Sequence, residues 1–309
     1  MRGTELTEFL DGLTQRIESY INSADNADRK TVDFLTPSSR SHSTDLSLPL
    51  EGNGSHSILD DIDEFLRQCV RTNRPEFMNP LWGGLNIAGF AGEVIAALTN
   101  QSMYTYELSP IATLIEQAIV ERMMEIVGFG EGFGTLTTGG SNGNMMGMLC
   151  ARQASDPMSS ITGFDGAKYV AFVSAEAHYS VLMSANVVGI GYQNLVKVAC
   201  DSRGRMKPES LVEEIVRART NGQTPFCIIA TSGTTVRGAF DPLKEIANIA
   251  HDNNIWLHVD AAWGGSSLFS KRFRKLMDGV ELADSICWDA HKMMGMPLIC
   301  SVFLTKSKD

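Results

Sequence analysis

The sequence is short of positive charge. Lysine and arginine total 26 against 36 aspartates and glutamates, a formal net charge of −10. A surface that neutralises nucleic-acid phosphates needs a basic face, so no nucleic-acid partner is expected. The charge of a small substrate stays open, because a local pocket can oppose the global sign. Long apolar runs are also missing. No stretch approaches the roughly 18–20 apolar residues of a membrane span, so no membrane partner is expected. The N-terminus, Met1-Arg2-Gly3-Thr4-Glu5-Leu6-Thr7-Glu8, has no apolar secretory core. Cysteine is sparse: Cys69, Cys150, Cys200, Cys227, Cys287 and Cys300, with no C-x-x-C pair. Most lie in apolar runs such as Phe226-Cys227-Ile228-Ile229, which reads as buried, reduced thiols. A cytoplasmic location and no bound metal are expected. The chain also lacks internal repeats, low-complexity tracts, a G-x-G-x-x-G fingerprint and a P-loop.

What remains is a globular composition, 43% hydrophobic over 309 residues, which is enough for a sizeable core. Leu6, Phe9, Leu10, Leu13, Ile17 and Ile21 recur at helical spacing and predict one apolar stripe. Residues 36–56 are rich in Ser, Pro, Gly and Asn and read as a linker. Residues 1–56 are thus expected to form an N-terminal helix and linker, and 57–309 the large domain. Helices are expected over Ser57–Thr72, near Ala88–Leu98 and over Pro110–Val127, with a turn at Gly128–Gly134. The pattern then changes. A short β-like run precedes Gly139, and further β-rich runs occur at Tyr169–Ser174, Val196–Cys200, Phe226–Thr231, Ile255–Asp260, Ser285–Trp288 and Cys300–Thr305. Helical stretches at Ser141–Ala154, Ser180–Val188, Pro208–Arg219 and Pro242–Asn253 separate most of them. This alternation predicts an α/β fold, a mostly parallel seven-stranded sheet with helices on both faces. The bend through Lys292 is too short for a parallel crossover, so the last strand should run antiparallel.

The chemistry-bearing residues fall at the ends of these strands, where open α/β sheets bind ligands. Gly139-Gly140-Ser141-Asn142-Gly143-Asn144 opens a helix, and its small residues and free amides suit an anion, although such a turn is also an ordinary helix start. His178 follows a strand; its flat ring could stack on an aromatic cofactor or serve packing. Thr231-Ser232-Gly233-Thr234-Thr235 offers hydroxyls after another strand, or is a plain strand-to-turn signal. Asp260 ends the run Ile255-Trp256-Leu257-His258-Val259 and needs a partner there: a protonated pyridine nitrogen, a helix N-cap or a salt bridge. Asp289-Ala290-His291-Lys292 is followed by Met293, Met294, Pro297, Leu298 and Ile299, apolar flanks of a buried bend rather than a surface turn. A lysine beside a histidine in such a bend, with an aspartate on the preceding strand, is what pyridoxal 5'-phosphate requires: an amine for its aldehyde and a carboxylate for its ring nitrogen.

The conjunction resembles the group II pyridoxal-phosphate-dependent amino-acid decarboxylases of fold type I, with an aspartate-aminotransferase-like large domain. The glutamate, cysteine-sulfinate and aspartate decarboxylases are the most similar members. The segments carrying the resemblance are Phe77-Met78-Asn79-Pro80-Leu81-Trp82-Gly83-Gly84-Leu85, Met103–Pro110, Gly139–Asn144, His178, Gly233-Thr234-Thr235, His258–Gly265 and Asp289–Met294. The resemblance implies that Lys292 forms the Schiff base and that Asp260 pairs with the pyridinium nitrogen. It implies that Ala262 and His178 hold the two ring faces and that Thr235 contacts the ring region. Gly140, Ser141, Asp289 and His291 would surround the phosphate. Asn79, Pro80, Leu81, Trp82 and Gly83 would line the substrate pocket, with residues 103–110 near a homodimer interface. The implied activity is decarboxylation of an L-amino acid, most plainly a small acidic one. Pro80 and Trp82 stand where the glutamate enzymes carry a glutamine and a small residue, and Trp82 would disfavour a long side chain. The resemblance also implies a mobile loop with a catalytic tyrosine and a small domain with a carboxylate-binding arginine, both beyond Asp309. On that reading the chain alone is expected to be a poor catalyst, or one piece of a split enzyme. An aromatic amino-acid decarboxylase is the other alternative.

Overall fold

The computed structural model describes residues 3–306 except 27, 49 and 53. Residues 49 and 53 of the expected linker, and the last three residues, therefore lie outside the described residues. The chain divides into two compact units, Met1–Pro80 and Leu81–Asp309. The division falls after the loop carrying Asn79 and Pro80, later than the boundary expected at residue 56.

The first unit contains α1 (Thr4–Asn22), α2 (Pro37–Ser43) and α3 (Ser55–Gln68). The helix α1 packs on α3, where Leu59 is the one buried residue of that helix. Gly12 makes the approach possible, since a Cβ there would lie 2.8 Å from Leu59 Cδ1. Arg16 tethers the pair by donating to the Leu59 carbonyl at 3.1 Å and to Asp63 at 2.6 Å. The helix α2 sits inside the stretch that composition marks as linker. Thr36 accepts from the Ser39 amide and Pro37 occupies the first turn, a local start signal strong enough to nucleate two turns.

The second unit begins with α4 (Ile87–Thr99) and α5 (Pro110–Val127). Strands and helices then alternate: β1 (Phe133–Thr137), α6 (Gly140–Ser155), α7 (Ser159–Thr162), β2 (Tyr169–Ser174), α8 (Ser180–Val187), β3 (Leu195–Val198), α9 (Pro208–Thr220), β4 (Thr224–Thr231), α10 (Leu243–Asn253), β5 (Trp256–Asp260), β6 (Ser285–Asp289) and β7 (Ser301–Thr305). These strands form a seven-stranded sheet in the order β1-β7-β6-β5-β4-β2-β3. Only β7 runs against its neighbours, β1 and β6, as the short bend requires.

Successive side chains of each strand point to opposite faces, and the two faces carry separate cores. Val170 and Phe172 of β2 and Ile228 and Ala230 of β4 join α5, α9 and α10 on one face. Ala171 and Val173, with Cys227 and Ile229, join α6 and α8 on the other. Both faces are thus covered, which is why the strands read as continuous apolar runs rather than alternating ones. The parallel strands bring their carboxyl ends to one edge, and Thr137, Ser174, Thr231, Asp260 and Asp289 all end strands there.

Candidate active site

A cavity of about 310 Å³ opens at that edge. It is lined by Gly140 and Ser141 from the start of α6, His178 after β2, Thr235 after β4, Asp260 and Ala262 at and after β5, and Asp289, His291 and Lys292 after β6. Every residue expected at the cofactor therefore reaches one cavity. Of the expected substrate loop, Leu81 and Trp82 line it. Gly83 sits instead against the backbone of Gly295, to which its Cβ position would lie 3.6 Å away. Asn79 and Pro80 belong to the first unit.

Lys292 Nζ lies 3.0 Å from Asp289 Oδ2, and the Lys292 amide bonds to the Asp289 carbonyl, closing the bend. Asp289 is 1% exposed, and its other oxygen accepts from Ser301 Oγ at 2.5 Å. The anion is thus satisfied by its own loop and by β7. His291 Nδ1 lies 2.8 Å from the Cys300 carbonyl, to which it donates, while its Nε2 faces Asp289 at 3.9 Å. Asp260 is 4% exposed. Its Oδ1 accepts the Ala262 amide at 3.1 Å and its Oδ2 the Asn144 side-chain amide at 2.8 Å. A carboxylate offers about four lone-pair sites, so acceptor capacity remains for a donor in the cavity. Desolvation lowers the pKa of His178, the charge of Asp260 opposes that shift, and Lys292 adds to it.

The glycines are steric requirements here. A Cβ on Gly140 would stand 2.7 Å from Asp289 Oδ2 and 3.0 Å from the Ala262 Cβ. The amides of Gly140 and Ser141 precede the first helical hydrogen bonds of α6, which Asn142 and Gly143 make to the Gly139 carbonyl. They form an anion cradle at the N-terminus of a 16-residue helix.

The residues present fit pyridoxal phosphate. An amine, a buried carboxylate with spare lone pairs and a helix N-terminus surround a cavity large enough for a small cofactor. Thr231, 3% exposed, lines the same cavity, and its buried hydroxyl has no hydrogen-bond partner among the described residues. Such a buried orphan marks a place for a polar ligand.

Sequence reasoning did not single out Asn144, Thr138, Trp263, Leu298 or Ile299 as site residues, yet all five line the cavity. For Asn144 a signal existed. Gly140, Gly143 and Gly147 repeat at helical spacing, and Asn144 shares their buried face. A polar residue on a face of small residues packed against a sheet needs a partner.

A family profile described as "Pyridoxal-dependent decarboxylase conserved domain" matches residues 37–309. The chain belongs to the pyridoxal-dependent decarboxylase family. Among curated members, acidic amino acid decarboxylase GADL1 of Bos taurus is 40% identical over 293 residues, which cover 94% of this chain and 56% of the relative. Cysteine sulfinic acid decarboxylase of Mus musculus is 38% identical over 291 residues, with 94% and 59% covered. The chain spans about half the length of the curated relatives it matches. The crystal structure of mouse CSAD superposes with a TM-score of 0.95 at 36% identity, covering 98% of this chain and 65% of that one. Fold type I, which the resemblance implied, is therefore the fold of this chain.

Proposed function

We propose that this chain forms the cofactor-binding part of a pyridoxal-phosphate-dependent carboxy-lyase. On this reading the substrate is a small acidic amino acid such as cysteine sulfinate, aspartate or glutamate. The observation that carries the proposal is the pairing of Lys292 with Asp289 across a cavity that also holds Asp260, at the ends of adjacent parallel strands. Pyridoxal phosphate, when bound, supplies an aldehyde for an amine and a ring that accepts the electron pair left as CO₂ departs. Lys292 Nζ is the only lysine amine lining the cavity among the described residues, and Asp289 holds it there. Asp260, kept from water, would be the carboxylate available to hold a proton on the cofactor's ring nitrogen. His178 and Ala262, which line the same cavity, would hold the two faces of the cofactor ring. The amides of Gly140 and Ser141 would hold the phosphate end, with Asp289 and His291 ordering the loop beside it. Leu81, Trp82, Leu298 and Ile299 line the cavity with apolar surface, and Leu298 and Ile299 keep 57% and 62% of theirs exposed at its mouth. The names of the curated relatives support an acidic substrate, and Trp82 supports a short one.

A homodimer and a cytoplasmic location belong to the same proposal. The segment from α4 to α5 exposes Ile87, Val94, Ile95, Leu98, Tyr104, Ile111 and Ile115, each between 45% and 87% exposed. That is an apolar face of the kind subunit interfaces cover. All six cysteines are free, and no helix among the described residues is long and apolar enough to cross a membrane.

The test is direct. The protein is incubated with pyridoxal phosphate, reduced with borohydride and mapped by peptide mass, and CO₂ release is measured with cysteine sulfinate, aspartate, glutamate and an aromatic amino acid. The proposal expects the adduct on Lys292 and slow CO₂ release, confined to the acidic substrates. An adduct on another lysine, or turnover of the aromatic acid alone, refutes it. Light scattering of the same sample reads the dimer.

A further inference from the structure

Asp260 and His178 are both held from behind by one side chain. Asn144 is 2% exposed, on the sheet-facing side of α6. Its Nδ2 donates to Asp260 Oδ2 at 2.8 Å and to Ser180 Oγ at 3.0 Å. Its Oδ1 faces His258 Nε2 at 3.0 Å and the Cys287 thiol at 3.3 Å.

The direction of every bond follows from what each group is able to donate. An ionised carboxylate only accepts, so the Asn144 atom facing Asp260 is its nitrogen. The atom facing His258 is then its oxygen, and His258 carries its proton on Nε2. That leaves His258 Nδ1 as an acceptor, and Ser285 Oγ donates to it across 2.8 Å. Ser285 Oγ in turn accepts from Trp256 Nε1, a group that only donates, at 2.9 Å. On the second arm, Ser180 Oγ accepts from Asn144 and donates to His178 Nδ1 at 2.9 Å. The Ser180 amide reaches the same nitrogen at 3.2 Å, so His178 also carries its proton on Nε2.

We propose that Asn144 is a positioning residue. It ends a one-way hydrogen-bond relay, Trp256–Ser285–His258–Asn144, that holds the Asp260 carboxylate in its orientation, and it branches through Ser180 to set the His178 ring. The inference rests on the reading above that Asp260 faces the ring nitrogen of the cofactor. Inside a low-dielectric site a bond to a charged acceptor is strong, and each bond of a chain polarises the next. The relay needs a neutral His258, and complete burial supplies it by pushing the pKa of that imidazole down to about 3. It also needs α6 close to the sheet. The bare Gly143 and Gly147 provide that approach, since a Cβ on Gly143 would stand 2.6 Å from the Cβ of Cys287 and one on Gly147 would overlap the His258 ring.

Three measurements on the whole protein test this. First, ¹⁵N NMR of the protein without cofactor reads the His258 tautomer. Nε2–H with a bare Nδ1, unchanged from pH 5 to 9, is expected; the opposite tautomer reverses the relay and overturns the proposal. Second, borohydride trapping of pyridoxal phosphate on Lys292 is run on the wild type and on Asn144→Leu. An adduct missing from both variant and wild type refutes the cofactor reading rather than the relay, and the tautomer result still decides the relay. Third, ring-¹⁵N-labelled pyridoxal phosphate reports protonation of the ring nitrogen directly. The wild type keeps that nitrogen protonated, whereas Asn144→Leu lowers its titration midpoint by about one to two pH units, the effect of one charge-assisted bond. Ser285→Ala, which leaves Asn144 on Asp260 and unhooks only the far end, gives a smaller shift in the same direction and serves if Asn144→Leu does not fold. Ser180→Ala leaves the ring nitrogen at the wild-type value. A trapped adduct with wild-type ring-nitrogen titration in both Asn144→Leu and Ser285→Ala removes Asn144 from the mechanism.

Discussion

Acid should act on this protein through two buried groups of opposite sign, and substitution separates them. His258 is 0% exposed and its pKa falls from 6.5 to about 3 through desolvation. The folded state therefore binds this proton more weakly than the unfolded state. The stability is present above pH 6.5 and is lost as pH falls below it, at about 1.4 kcal/mol per pH unit. Asp241 is 2% exposed, and burial raises its pKa from 3.8 to about 6, against the pull of the Met206 and Thr231 amides that it accepts. Here the folded state binds the proton more tightly. Its contribution is greatest below pH 3.8 and is lost as pH rises through 6. Between pH 7 and 5, His258 thus costs about 2 kcal/mol and Asp241 returns about 1 kcal/mol. In the wild type the two effects partly cancel. Urea unfolding at pH 7, 6 and 5, followed by indole fluorescence, reads the second unit, because Trp82, Trp256, Trp263 and Trp288 all lie there. His258→Gln keeps a donor and an acceptor, and should become about 2 kcal/mol less acid-labile than the wild type over that range. Asp241→Asn should become about 1 kcal/mol more acid-labile, on top of a constant loss from an amide nitrogen turned toward a backbone N–H. Groups shared by all three proteins, including His178, cancel in the differences. A His258→Gln profile parallel to the wild type would refute the buried neutral imidazole and the relay built on it.

Gly140→Ala should weaken pyridoxal phosphate retention at least tenfold in equilibrium dialysis, because the new Cβ, 2.7 Å from Asp289 Oδ2, displaces the Lys292 anchor; unchanged retention would show that the cradle tolerates a side chain. Lys292→Arg should abolish borohydride trapping yet keep the melting temperature within a few degrees, since the guanidinium still pairs with Asp289, whereas Lys292→Ala should lose both by leaving that buried carboxylate without its cation. Cys227 and Cys287, both fully buried with thiol pKa values pushed well up by desolvation, should resist a disulfide reagent at pH 8 until urea unfolds the chain; rapid labelling of either in the native state would contradict their placement.

The local signals in this chain were strong where one periodicity governed. Continuous apolar runs predicted β2 to the residue, and Pro110 at the first turn with Gly128 past the last predicted α5 to the residue. The antiparallel β7 followed from chain length alone, since no crossover fits between Asp289 and Ser301. Lys292, Asp260, His178 and Gly140 could be placed at one sheet edge because each stands at or just past a strand end, although each alone also reads as an ordinary turn, cap or packing residue. Other features were decided only in three dimensions. The helix α2 arose inside a stretch whose composition reads as linker, and the unit boundary moved to Pro80, because compactness depends on packing rather than on residue type. Leu298, Ile299 and Trp263 reach the cavity only because the β6–β7 loop and the turn after β5 fold over its rim. Asn144 is the clearest case. Residues 144, 180, 258 and 285 lie far apart in the chain, and no spacing rule links them. Periodicity reports which face of an element is buried. Which donor meets which acceptor depends on strand order and helix height, and these exist only once the sheet has assembled.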